Sequence, residues 1–209
     1  LHTPDIHPVE TFDPINNHTV EFSYTGSQIV RNRAIVLDNE TYQTVYDSVQ
    51  DRMRPDHVFP GGTFSPGKSY QIRIKVFDAY GNESPFSEPV LFCCYSTPEF
   101  RFDALDKDTI LHTANPKLTL IYSQKEQEAL QDFQFLLYDY DKTLLTSSEH
   151  KYDASDMTHI FYGLKNESEY YVRATGTTAH GLRIETDYIK ISIKYFLMPA
   201  NVLFEAKNH

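Results

Sequence analysis

The chain has 209 residues, with 40% hydrophobic and 23% charged residues and a formal net charge of −10, a composition that suits a folded globular protein and argues against disorder. The charge is evenly spread: residues 1–96 hold 7 basic and 12 acidic residues and residues 97–209 hold 12 and 17, so each part carries −5 and no basic face for nucleic acid is readable. No apolar run reaches the roughly 20 residues that span a bilayer, and no stretch reads as a signal peptide.

Short runs of alternating hydrophobicity, separated by Pro, Gly, Asn and Asp, dominate the sequence, with 15 Tyr, 14 Phe and no Trp. This is the pattern of an all-β sandwich. In chain order, seven strands are expected near 4–12, 19–25, 30–38, 43–48, 56–64, 70–78 and 86–94. Seven more are expected near 98–104, 117–123, 132–139, 143–148, 156–164, 170–176 and 184–195. The clearest is 70–78, where Tyr70, Ile72, Ile74 and Val76 alternate with Gln71, Arg73 and Lys75. One face is buried and the other wet, as in an antiparallel sheet. The short stretch Gln124–Gln131 is the single helical candidate and reads as a loop or one turn.

The chain repeats itself at a spacing of about 100 residues. Phe64-Ser-Pro-Gly-Lys-Ser-Tyr70-Gln-Ile72-Arg73 answers Leu164-Lys-Asn-Glu-Ser-Glu-Tyr170-Tyr-Val172-Arg173, and Gly81 answers Gly181. Val20, Phe22 and Tyr24 alternate as Leu118, Leu120 and Tyr122 do, and Thr3-Pro4-Asp5-Ile6 is echoed by Thr97-Pro98-Glu99-Phe100. These matches divide the chain into a domain over 1–96, a second over 97–195, and an extension over 196–209. A Pro at the boundary interrupts sheet pairing.

A Leu or Phe, five variable residues, then a Tyr entering an alternating strand resembles the tyrosine corner of fibronectin type III-like sandwiches. The resemblance implies two such domains in tandem, with Tyr70 and Tyr170 as the corner tyrosines, each ring packed and each hydroxyl satisfying a backbone group. The core Trp usual on the second strand is absent; Phe22, Tyr24, Leu120 or Tyr122 is expected to fill its space. The strings TVEFSYTGSQIVRNRAIVLDN, GKSYQIRIKVFDAYGNESPFSEPVLFCCYSTPEF and DFQFLLYDYDKTLLTSSEHKYD, the last continued by LKNESEYYVRATGTTAHG, resemble the N-terminal part of minor structural proteins of tailed phages of Gram-positive bacteria. That resemblance implies a non-enzymatic virion protein: a spacer and docking arm in the tail or host-adsorption apparatus. Its partners would be other tail proteins and further copies of itself, with a host cell-wall glycan reached through a further C-terminal module. The competing readings are an extracellular receptor or adhesin ectodomain and an accessory module of a secreted polysaccharide-degrading enzyme.

Residues carrying chemistry are scattered. Nine histidines form no HxH or HExxH pattern and read as surface or turn residues. Asp106/Asp108 and Asp139/Asp141 lack the Gly and distal Glu of a calcium loop, and 139–142 reads as a hairpin turn. No nucleophile elbow or phosphate loop occurs, so no catalytic, metal or cofactor residue is assigned. Sequons at Asn17, Asn39, Asn82 and Asn166 fall at expected turns and read as turn composition. Cys93 and Cys94 are neighbours on a strand; they cannot form an ordinary long-range disulfide, and one thiol is expected to be buried. Tyr42, Tyr46, Tyr80 and Tyr140 are expected as exposed loop tyrosines for a partner or a sugar. The apolar Val202, Leu203 and Phe204 are expected to pack back or to enter a further module. The start at Leu1, without Met, suits a fragment or a processed form.

Overall fold

A computed structural model describes residues 1–197. Every element is a strand, and no helix among the described residues is long and apolar enough to cross a membrane. The chain forms two compact units. The first comprises Leu1–Glu99 with Tyr122–Gln131 and Gly176–Ile184; the second comprises Phe100–Ile121, Asp132–Thr175 and the chain from Glu185 onward.

In the first unit, β1 (Asp5–Ile6), β2 (His18–Ser23) and β5 (Asp56–Phe59) form one sheet. β4 (Thr44–Asp51), β3 (Ile29–Asp38), β6 (Lys68–Asp78) and β7 (Val90–Cys94) form the other, in that order. The period of two places the core as expected. Tyr70, Ile72, Ile74 and Val76 of β6 are buried, and antiparallel register sets Val36 against Ile72 and Ala34 against Ile74. Phe22, Phe59, Phe64 and Phe92 fill the space between the sheets; the Phe64 ring lies 4.9 Å from both Phe59 and Tyr70. Burying such a side chain stabilises the fold by about 1.5–3 kcal/mol.

The second sandwich pairs β13 (Thr158–Ile160), β10 (Lys117–Ser123) and β8 (Glu99–Phe102) in one sheet. The other runs β12 (Leu144–Ser147), β11 (Leu130–Tyr138), β14 (Ser168–Thr178), β16 (Ile189–Ile193) and β9 (Thr109–Leu111), with β15 (Arg183–Glu185) also on β14. Its core includes Phe102, Leu118, Phe133, Phe135, Val172 and Ile191. The positions proposed for the missing Trp divide: Phe22 and Leu120 are buried, whereas Tyr24 and Tyr122 are half-buried.

Several strands are shorter than the alternation implied. The run 4–12 yields only Asp5–Ile6 and an isolated parallel bridge from Phe12 to Cys94, because Pro4 and Pro8 cannot donate to a ladder. The run 86–94 is a strand only from Val90, since Pro85 and Pro89 flank its first part. There, side chains replace the ladder: the buried Ser84 and Ser87 hydroxyls accept from Val76 N–H and Ile74 N–H, both at 3.0 Å. Thr186 does the same for Ala174 N–H at 3.0 Å. The run 184–195 divides into β15 and β16, and β9, which the sequence did not reveal, pairs in parallel with β16. Of the stretch Gln124–Gln131, residues 124–129 are an irregular loop with one turn, as expected, whereas Leu130 and Gln131 already belong to β11.

Candidate interaction surfaces

The corner tyrosines fasten both sandwiches alike. Tyr70 Oη accepts from Ser65 N–H at 2.9 Å, and Tyr170 Oη accepts from Lys165 N–H at 3.0 Å. The turn after each corner strand also repeats: Gly81 N–H donates to Asp78 O and Gly181 N–H to Thr178 O. Both glycines have left-handed backbone, φ 83° and 84°, which a side chain resists. Asn17 Oδ1 accepts from Gly61 N–H, and Asn115 Oδ1 from Gly163 N–H, each at 2.8 Å. The other sequon asparagines are similarly engaged, Asn39 with Gln71, Asn82 with Asp78 and Asn166 with Tyr195. Their side chains serve the turns.

Three of the four tyrosines singled out from the sequence stand in turns and are exposed: Tyr42, Tyr80 and Tyr140. Tyr46 is a correction. It lies within β4, half-buried, with its ring 4.9 Å from Phe59 and its hydroxyl 2.8 Å from His57 Nε2. The alternation of β4 turns it toward the core and turns Val45 and Asp47 outward. Val202, Leu203 and Phe204 lie outside the described residues.

The reading of all histidines as surface residues also fails. His57 is fully buried. Asn32 Nδ2 donates to Asp56 O at 2.8 Å, which leaves Asn32 Oδ1 to accept from His57 Nδ1–H at 2.6 Å. His57 Nε2 then accepts the Tyr46 hydroxyl proton. Burial, aided by the Arg52 charge and opposed by Asp56, pushes the imidazole pKa down to about 4. His18 stacks on Phe12 with centroids 3.7 Å apart, and His159 packs on Phe135 and Phe161; burial lowers the pKa of both. The imidazole is flat and half apolar, so it serves as a core ring where its nitrogens find partners. Among the described residues no three His, Cys, Asp or Glu side chains come together as metal ligands. Cys94 is buried and its thiol pKa is pushed up to about 12, chiefly by desolvation, whereas Cys93 is half-buried beside Ser69 Oγ at 3.3 Å.

The chain following β7 is held within the first unit. Thr97 N–H and its hydroxyl both donate to Asp13 Oδ2 at 2.7 Å, and Tyr95 N–H donates to Phe12 O at 3.1 Å. Burial opposes ionisation of Asp13, but the Thr97 and Ile15 amides prevail and lower its pKa. In the same unit the Glu128 side chain is fully buried, and its Oε1 accepts from His180 N–H at 2.7 Å.

The second unit carries a cationic and aromatic face that sequence reading missed. Arg173 lies 4.5 Å from the Tyr188 ring centroid, and Lys142 lies 5.1 Å from both the Tyr171 and Tyr188 rings. Tyr138 meets Tyr188 at 5.1 Å, and its hydroxyl pKa is raised by burial and by that neighbour. Such cation–π pairs are worth about 0.5–1 kcal/mol when exposed. Beside this face, between the turn after β11 and the start of β14, lies an open cleft of about 800 Å³ that includes Tyr140 in its lining.

No family model matches the chain, and no curated protein matches it. Among solved structures, it is similar to the FN1–FN3 domains of chicken CNTN1, at 10% identity and a TM-score of 0.56, over 92% of this chain and 67% of that one. It is also similar to the fibronectin(III)-like modules of Clostridium thermocellum CbhA, at 14% identity and a TM-score of 0.47, over 92% and 94%. The sandwich sheets, the corner tyrosines and the likeness to CNTN1 show an all-β fold like that of fibronectin type III domains.

Proposed function

We propose that the chain is a non-enzymatic spacer and docking arm of a tailed-phage virion, placed in the tail or host-adsorption apparatus. The carrying observation is one sandwich plan built twice in series, with the same fastenings at each corner and only residues 95–98 between β7 and β8. The resemblance of three long strings to phage minor structural proteins supports the virion setting. Its partners are then neighbouring tail proteins and further copies of the chain, and a host cell-wall glycan is engaged through a further C-terminal module. Immunogold labelling of purified particles of a phage carrying the gene tests this. Label on the tail is expected; absence of the chain from purified particles, by labelling and by mass spectrometry, rejects the reading.

A further inference from the structure

The two sandwiches share the tyrosine corner and the strand order around it, β4-β3-β6-β7 against β12-β11-β14-β16, so their corners can be compared position by position. In the first, the turn after β3 is bridged to β6. Lys68 Nζ lies 3.1 Å from Asp38 Oδ2, and Gln71 Nε2 donates to Asn39 Oδ1 at 2.7 Å. In the second, Ser168 stands two residues before the corner tyrosine, where the first has Lys68, and Tyr171 stands where the first has Gln71. A serine is too short to reach across, and the cleft of about 800 Å³ lies at that corner. Its size falls within the roughly 300–1,000 Å³ of small-molecule sites.

Both walls are fastened. On one side Asp139 N–H donates to Thr143 O at 2.9 Å, and Thr143 N–H donates to Asp139 Oδ1 at 2.8 Å. This tied turn presents Tyr140, 63% exposed. On the other side Lys165 N–H is held by Tyr170 Oη, and Glu167 N–H donates to Ile193 O at 2.8 Å. Ile110 and Leu145, each about half exposed, add apolar surface. Ser168 and Ser192 contribute hydroxyls, Asp139, Glu167 and Glu169 carboxylates, and Lys165 and Lys194 ammonium groups.

We infer that this cleft binds a neutral oligosaccharide. A pyranose ring offers an apolar C–H face and a rim of hydroxyls that both donate and accept. The exposed tyrosine ring matches the first, and the mixture of acceptors, donors and hydroxyls matches the second. Three carboxylates against two ammonium groups give the lining itself no cationic excess to favour a polyanion. A peptide anchored by large apolar side chains needs deep desolvated pockets, which the open Ile110 and Leu145 surface does not form. This inference goes beyond the arm role and does not depend on it.

The test is an amide NMR titration of the whole chain with four neutral tetrasaccharides: cellotetraose, mannotetraose, galactotetraose and chitotetraose, each to millimolar concentration. At least one is expected to shift the Tyr140, Ser168 and Ser192 signals saturably. Tyr140→Ala, in an exposed turn, should weaken that binding roughly tenfold. Ser168→Lys, which installs the residue of the first sandwich, should close the cleft and weaken binding at least as much. Tyr80→Ala, in an exposed turn of the first unit, should leave it unchanged. The inference is overturned if none of the four sugars shifts the cleft signals, if shifts appear only elsewhere, or if both cleft variants bind as the parent does. A heparin fragment that binds the same signals more tightly than any of the four sugars also overturns it.

Discussion

Acid should weaken the first unit through one buried imidazole. His57 is fully buried, its Nδ1–H is given to Asn32 and its Nε2 is occupied by Tyr46. Protonation would place a cation in the core beside Arg52, so the folded-state pKa falls from 6.5 to about 4. Above pH 6.5 the imidazole is neutral whether folded or unfolded, and the linkage term vanishes. Below 6.5 the unfolded chain takes up a proton that the folded chain refuses, and stability falls as pH falls, by about 1.4 kcal/mol per unit. The loss is complete near pH 4, at roughly 3 kcal/mol. His18, also lowered by burial, adds to the same window in the same unit. Asp38, Asp47 and Asp78, whose pKa values lie below 3.8, contribute only at more acid pH. Urea unfolding of the first unit at several values between pH 7.5 and 4.5, followed by amide exchange at Ile72 and Ile74, measures the slope. His57→Gln should cost about 1–3 kcal/mol at pH 7.5 through imperfectly replaced hydrogen bonds. It should also flatten most of the slope between pH 6.5 and 4.5. A flat profile in the parent chain, or an unchanged slope in the variant, would show that His57 does not control the acid response.

The fastenings and the thiols supply two further tests. Tyr70→Phe and Tyr170→Phe each remove a hydroxyl that holds a corner amide, and each should cost about 0.5–1.5 kcal/mol in its own sandwich alone; equal shifts of both unfolding transitions in either variant would contradict two separately fastened cores. Cys93 should react with a thiol reagent well before Cys94, which is buried with its pKa near 12, and peptide mapping of partially labelled native protein showing Cys94 modified first would disprove the assignment of faces on β7.

Much of the fold was legible because its signals are local. The alternation Tyr70-Ile72-Ile74-Val76 determines which face of β6 is buried, whichever strands lie beside it. The corner motif of Tyr70 and Tyr170 closes over five residues, and the turns at Gly81 and Gly181 close over four, so each could be read as a string. What stayed hidden depends on cross-strand partners. β9 is three residues long, too short to show a period, and exists because β16 offers it a parallel edge. His57 looks like any turn histidine until β3 and β4 bring Asn32 and Tyr46, 25 and 11 positions away, to its two nitrogens. Tyr46 could not be told from an exposed loop tyrosine by composition; the register of β4 against β3 turns it inward. The cleft beside Tyr140 is hidden for the same reason. Its lining comes from 110, 139–145, 165–170 and 192–194, segments that meet only through pairing in the sheet. Local sequence determines strand, turn and face, because those follow from neighbouring dihedrals and the two-residue period. Which side chains converge is decided by hydrogen-bond register between strands distant in the chain, and that exists only once the sheets have formed.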